Sequence, residues 1–289
     1  MIPLHGATER TLTPADAERA QALVVEAGWN QLPADWQLML EHGHGFGIET
    51  AEGKLIATAL TMPLGEVYSW ISMVLVEAKH RRHGLGTHLL RRCLDYIEAS
   101  GRVAGLDATE LGHPVYQKFG FQDVYKLKRL IVQGRGFAPV CAPPEITITP
   151  LHEGTALDEV IAWDREVTGV ERSALLRNLL ARMPQCAWVA YDEGQLAGYV
   201  LVRDGLLAPQ LGPIVAADVQ IAMMLAATAA RILGGLSFID VPEHHHDFLQ
   251  WLKLHNADTQ RGFVRMLMGR STPFDQVEHV FAIAGPELG

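Results

Sequence analysis

Cysteine is scarce in this chain: Cys93, Cys141 and Cys186 are all there are in 289 residues. They are odd in number, far apart and form no CxxC pair. That excludes a disulfide framework and a thiolate metal site, and it fits a reducing compartment. A cytoplasmic location and no metal are therefore expected. Positive charge is also short, with 24 Lys and Arg against 33 Asp and Glu and a formal net charge of -9. A nucleic-acid binder needs a basic surface to displace phosphate counterions, so no nucleic-acid partner is expected. No stretch reaches the ~18 uninterrupted apolar residues of a membrane span. The longest apolar run, Ile221 to Ala227, continues through Thr228 to Arg231 and reads as a buried helix. Met1-Ile2-Pro3-Leu4-His5 has no basic segment leading into an apolar run, so no signal peptide is expected either. What the chain does have is 48% hydrophobic residues, enough to core two ordinary domains.

The pattern along the chain alternates helix and strand. Residues 14–27 predict a helix with Thr13 as N-cap, Pro14 at its first position and Gly28 past its end. Pro33 opens a second helix. Strands follow near 45–50 and 54–62, joined by Glu52-Gly53, and another at 69–76. Residues 84–100 carry the clearest amphipathic period, with Leu85, Leu89, Leu90, Cys93, Leu94 and Ile97 on one side. A strand at 103–107, a helix at 113–118 and one or two strands at 121–131 complete the series. Residues 134–144, with Gly134, Gly136, Pro139, Pro143 and Pro144, read as a linker.

After the linker the order returns. Glu52-Gly53-Lys54-Leu55-Ile56-Ala57 matches Glu193-Gly194-Gln195-Leu196-Ala197-Gly198, and Leu106-Asp107-Ala108-Thr109 has an echo in Ile239-Asp240-Val241-Pro242. We read a divergent internal duplication, with domains at 1–133 and 145–289. The fold class expected is α/β: tandem domains, each a twisted mixed sheet flanked by helices.

The chemistry-bearing segment is Glu77-Ala78-Lys79-His80-Arg81-Arg82-His83-Gly84-Leu85-Gly86-Thr87, between the strand at 69–76 and the amphipathic helix. The first N–H groups of a helix lack intrahelical partners and carry the positive end of its dipole. Gly84 and Gly86 let a bulky anion approach the backbone, and the Arg and His residues add positive potential. A pyrophosphate suits this better than a carboxylate. The spacing matches neither the GxxxxGK[ST] loop nor the three-glycine dinucleotide fingerprint.

Met73-Val74-Leu75-Val76 followed by Arg81-Arg82-His83-Gly84-Leu85-Gly86 and Leu89-Leu90 resembles the (R/Q)xxGx(G/A) acetyl-CoA motif of the GNAT superfamily of N-acetyltransferases. Pro114-Val115-Tyr116-Gln117-Lys118-Phe119-Gly120-Phe121 is similar to that superfamily's second signature. The resemblance implies a splayed strand pair, with the pantetheine arm of acetyl-CoA bonded to the backbone at Val74, Leu75 and Val76. The pyrophosphate would rest on the amides of Arg81, Arg82, His83, Gly84, Leu85, Gly86 and Thr87. Thr109 stands where relatives carry a polar residue, and Tyr116 is the implied general acid beside the thioester. The reaction expected is direct acetyl transfer to a primary amine, on a small molecule or a peptide. The alternative is a non-catalytic acyl-CoA sensor.

Asp107, at the end of a strand beside the crevice, is the candidate base, with Glu66, Glu110 and His113 as rivals. A structural role stands beside it, because Asp240 occupies the analogous place in the second half. Trp29 and Trp36, near the loop between the first helices, are candidate acceptor-binding residues, with core packing the other reading. His244-His245-His246 has no HExxH or Cys partner and reads as a solvated helix start.

The second half departs from the pattern. Opposite the glycine loop stands Leu211-Gly212-Pro213-Ile214-Val215-Ala216-Ala217-Asp218, with no basic cluster and an acid where a phosphate would sit. The expectation is a degenerate copy that holds no CoA and either covers the acceptor side of the first half or mediates association, a homodimer included.

Overall fold

The computed structural model describes residues 6–138 and 142–289. The readings placed on Met1–His5, on Cys141 and on Pro139 in the linker lie outside the described residues.

The first half begins with β1 (Thr8–Leu12), an edge strand that the sequence pattern did not single out. Thr13 then starts a 3-10 turn, where its backbone N–H donates to the Asp16 carboxylate at 2.9 Å. This turn leads into α1 (Ala17–Ala27), which ends at Gly28 in the left-handed conformation. There follow α2 (Pro33–His42), β2 (His44–Glu49), β3 (Leu55–Leu64), β4 (Tyr68–Val76), α3 (Leu85–Ala99), β5 (Val103–Ala108), α4 (His113–Lys118) and β6 (Phe121–Gln133). The second half repeats the order: β7 (Ile146–Pro150), α5 (Thr155–Thr168), α6 (Ser173–Arg182), β8 (Trp188–Asp192), β9 (Gln195–Arg203), β10 (Gln210–Ala216), α7 (Val219–Leu233), β11 (Leu236–Pro242), α8 (His246–Leu254) and β12 (Asp258–Met268). A short β13 (Val280–Ala282) has no counterpart in the first half.

The two halves share one sheet, in the order β1-β2-β3-β4-β5-β12-β6-β11-β10-β9-β8-β7, with β13 attached to β10. Each half gives its last long strand to the other. β12 lies against β5 of the first half, and β6 lies against β11 of the second. The two exchanged strands then pair with each other, Leu127 opposite Phe263. The sequence reading gave each half its own sheet and did not foresee this exchange.

Buried ion pairs mark the exchange. The Arg265 guanidinium donates two hydrogen bonds to Asp107, at 3.0 and 2.9 Å, from the cross-strand position. Its counterpart is Arg129, which donates to Asp240 at 2.8 and 2.7 Å. The echo between Leu106-Asp107 and Ile239-Asp240 is therefore an echo of structure. Each aspartate receives an arginine from the strand that the other half supplies.

The helices cover the sheet in a correspondingly shared way. α3 packs on the face formed by Ile48, Ile56, Ile71 and Leu106, and α7 with α8 covers the equivalent face of the second half. On the opposite face, α1 and α2 share a single core with α5 and α6. The loop between α1 and α2 is tied to the second half by Asn30. Its side-chain oxygen accepts from the N–H groups of Leu207 and Ala208, and its amide donates to the Ala208 carbonyl at 2.9 Å.

Candidate active site

The two parallel strands β4 and β5 pair only from Tyr68 to Trp70, against Val103 to Gly105. Beyond that point they diverge and a cavity of about 450 Å³ opens between them. Ile71, Ser72, Met73, Val74 and Val76 line one side, and Leu106, Asp107 and Thr109 the other. The divergence coincides with a bulge in β4. Thr58 faces Leu75 and Leu60 faces Ser72 across β3, so β4 carries one extra residue there. Met73 has φ 52°, an uncommon conformation for a residue with a side chain. The Thr58 hydroxyl donates to its carbonyl at 2.8 Å. Nothing in the sequence marked this bulge.

At the mouth of the crevice α3 starts at Gly84, whose φ is 81°. No side chain caps this end, and no acid lies in its first turn. Arg82 also has positive φ, 63°, so the backbone from Arg82 to Gly84 curls around the helix start. Such curls gather N–H groups into an anion-binding concavity. Arg81 donates from Nε to the Val76 carbonyl at 3.0 Å, which ties the loop to the end of β4. A Cβ placed on Gly86 would meet Val76 Cγ2 at 3.4 Å and Val74 Cγ1 at 3.8 Å, both cavity-lining residues. These groups fit a pyrophosphate followed by an extended arm: free amides and arginines at the helix start, then an unpaired strand edge.

Most of the candidate cofactor residues gather here. Val74, Val76, Arg81, Arg82, Gly84, Leu85, Gly86, Thr87 and Thr109 line the cavity. Leu75 points into the core instead, as β-strand alternation requires. His83 is exposed, its ring bonded to the His80 carbonyl at 3.2 Å. His80, read as part of the positive cluster, lies 2.7 Å from the buried Glu77 carboxylate, which also pairs with Lys54. Burial alone would raise the pKa of Glu77, but the hydrogen bonds from Lys54 and His80 hold it below the ordinary value.

Tyr116 lies across the cavity on α4, its ring 5.9 Å edge-on from that of Phe121. Burial pushes its hydroxyl up to about 12, so it keeps its proton at neutral pH. The Cys93 thiol, on the inner face of α3, is buried, which pushes its pKa upward and leaves it no thiolate character.

Asp107 touches the cavity, but both carboxylate oxygens are held by Arg265, so the expectation of a free proton acceptor fails on geometry. Burial shifts its pKa upward against the opposing pull of Arg265. None of the rivals lines the cavity. Glu66 and Glu110 are exposed, and His113 is engaged with Asp123 at 2.7 Å. Trp29 lines the cavity, whereas Trp36 is fully buried in the shared helical core and is a packing residue. Further wall residues escaped the sequence reading, among them Gln31, Arg129, Arg261 and Glu287. These four come from the α1–α2 loop, the exchanged strands and the segment after β13. No local spacing could have joined them.

The equivalent crevice of the second half is filled. β10 and β11 share only the pair Gln210–Phe238, and β13 occupies the gap. β13 pairs with β10 at Ile214 and Val215, and the following Ile283 N–H donates to the Asp240 carbonyl at 3.1 Å. At the start of α7 the Asp218 carboxylate accepts from the N–H groups of Gln220 and Ile221, at 2.8 and 2.9 Å. Strand and carboxylate thus occupy the places that stay open in the first half. His245 differs from the solvated helix start expected of it. It stacks on Phe281 with ring centroids 4.1 Å apart and bonds to the Val280 carbonyl.

Fold and site together define an acyltransferase of mixed α/β architecture. Residues 14–121 match the acetyltransferase (GNAT) family and residues 160–282 an acetyltransferase (GNAT) domain, and the chain belongs to this family as a tandem protein with a degenerate second copy. It is 27% identical over 268 residues to a Bacillus subtilis (strain 168) protein described as uncharacterized N-acetyltransferase YitH, covering 91% of this chain and 92% of the relative. It is also 27% identical over 247 residues to the holothin acyltransferase of Pseudoalteromonas sp. (strain SANK 73390), covering 85% and 81%. Among solved structures, a putative acetyltransferase from Pyrococcus horikoshii shares the fold with a TM-score of 0.81 at 21% identity, over 100% of this chain and 98% of that one. A tandem GNAT protein from the clavulanic acid biosynthesis pathway superposes with a TM-score of 0.66 at 14% identity, over 90% and 98%.

Proposed function

We propose that the chain transfers an acetyl group from acetyl-CoA to a primary amine, in one step, at the first-half cavity. The observation that carries this reading is the open splay between β4 and β5 beside an uncapped α3, set against a second splay closed by β13 and Asp218. One active site per chain follows.

Acetyl-CoA would supply the acetyl group as a thioester, already activated for attack. The amides and arginines at the start of α3 hold the pyrophosphate, and the free edge of β4 from Ser72 to Val76 holds the arm. Backbone N–H groups at the Met73 bulge polarise the carbonyl. The C–N bond forms as the C–S bond breaks. Tyr116 donates its phenolic proton to the leaving sulfur, and the proton that the amine nitrogen gives up passes through water to restore the Tyr116 hydroxyl. With Arg265 on both of its oxygens, Asp107 holds the exchanged strand in place. Trp29 forms part of the acceptor wall. The compartment is proposed to be cytoplasmic, on the strength of the cysteine usage alone.

Release of free CoA from acetyl-CoA, measured against a panel of primary amines, tests this reading. Amine-dependent release and an acetylated product are expected. Tight acetyl-CoA binding with no turnover on any amine would favour a sensor.

A further inference from the structure

The cavity wall that faces neither the glycine loop nor the splay carries an unpaid electrostatic conflict. Arg261 on β12 stands directly opposite Arg129 on β6, two like charges in one cross-strand pair. Such pairs destabilise a sheet unless something intervenes. Both guanidinium groups lie over the Phe263 ring, 5.0 and 5.2 Å from its centroid.

The fold does not require a cation at 261. In the exchanged-strand relation Arg129 corresponds to Arg265, each pairing with an aspartate of the neighbouring strand. The position opposite Arg265 is Tyr125, which is therefore the counterpart of Arg261. An uncharged residue serves at the equivalent place.

The buried carboxylates nearby are already claimed. Asp240 receives both hydrogen bonds of Arg129. Arg203 lies between Asp35 and Glu287, 2.7 Å from each, and Arg182 also reaches Asp35 at 2.6 Å. Arg261 has no carboxylate partner among the described residues, and its buried Nε makes no hydrogen bond. It lines the cavity together with Gln31, whose buried Oε1 also has no partner. Burial first and the facing Arg129 second lower the pKa of Arg261, against the smaller opposing pull of Asp240 and Glu287. What remains is a guanidinium that no carboxylate of the described residues touches, at a place reached from the cavity.

We infer that the acceptor is an amino-carboxylate, a small amine whose carboxylate group is received by Arg261 while its amine reaches the splay between β4 and β5. A single unpaired guanidinium matches a monoanion better than a doubly charged phosphate, and it offers the planar fork that a carboxylate accepts from. The acceptor's charge would separate Arg261 from Arg129 and complete the wall. This inference rests on the proposed acetyl transfer, and the experiment below separates the two.

Acetyl transfer is measured for free amino acids and, side by side, for their amides, their decarboxylated amines and matched aminophosphonates. The native protein is compared with Arg261→Gln and Arg261→Lys. A free carboxylate is expected to raise kcat/KM by about 10²-fold over the amide, the scale of a desolvated charge-assisted pair. Arg261→Gln should remove that preference through KM while leaving acetyl-CoA affinity unchanged, and Arg261→Lys should restore part of it. Equal use of the uncharged amines, a preference for the phosphonate, or a loss of acetyl-CoA affinity in Arg261→Gln would overturn the inference. Calorimetric titration of the preferred amino acid into native and Arg261→Gln protein, with CoA present, reads the subsite without turnover. Arg261-dependent binding with no turnover on any amine would retain the subsite and overturn acetyl transfer. Neither binding nor turnover would overturn both.

Discussion

Gly86 and Tyr116 face the same cavity yet answer to different demands. Gly86 leaves space, and a side chain added there points among Val74 and Val76 without striking backbone. Gly86→Val is therefore expected to fold normally and to lower CoA affinity at least tenfold by calorimetric titration. Tyr116→Phe removes only a hydroxyl. It should lower kcat about 10²-fold, in the range for loss of a general acid, and leave the CoA dissociation constant unchanged. A loss of affinity without loss of turnover in Tyr116→Phe would reassign the tyrosine to packing. His245 makes a prediction about pH. Burial first, and the neighbouring His244 second, hold its pKa at about 4, below the ordinary ~6.5 of a histidine. The unfolded chain then binds the extra proton between those values, so stability is complete above pH ~6.5 and falls as pH drops toward 4. Chemical denaturation across this window should show His245→Gln to have the shallower pH dependence.

At the scale of elements, the decisive pairings join strands distant in sequence. Asp107 and Arg265 neutralise each other in a buried site, so Asp107→Ala strands a guanidinium and is expected to cost about 3–5 kcal/mol in urea denaturation. Adding Arg265→Met should recover much of that loss, and failure to recover it would mean that the pair does not hold β12 to β5. How legible these elements were depends on how local their causes are. The amphipathic period of α3, the Pro33 start of α2 and the Glu193-Gly194 turn are set by neighbouring residues, and their positions follow from the sequence. β1 went unseen because its alternation spans only five residues. The glycine loop and Tyr116 were legible through a resemblance that spans one contiguous segment. The far wall of the cavity was not, since Gln31, Arg129, Arg261 and Glu287 meet only after the strands are exchanged. Asp107 was legible as a residue of note, with a structural role as one of its two readings, but its partner was not legible because it lies on β12.

The whole molecule is two copies of one plan that cannot be cut apart cleanly. Residues 1–133 alone would lack β12 and leave both the edge of β5 and one face of the α1–α2 layer bare. Expressed alone, that segment is expected to self-associate or to precipitate. Co-expressed with residues 134–289, it should be recovered as a 1:1 complex that binds CoA. A folded, CoA-binding monomer of 1–133 on size-exclusion chromatography would contradict this. The segment after β12 shows what the second copy contributes. β13 fills the redundant crevice, and a few residues later Pro286 accepts a hydrogen bond from the Trp70 indole while Glu287 joins the first cavity's wall. The copy whose own crevice is filled thus supplies part of the wall of the other copy's cavity. On the proposed reading, inheritance can then act on the two tasks separately. Changes at 285–288 or at Arg261 retune which amine is chosen, while the loop at 81–87 goes on handling the same donor.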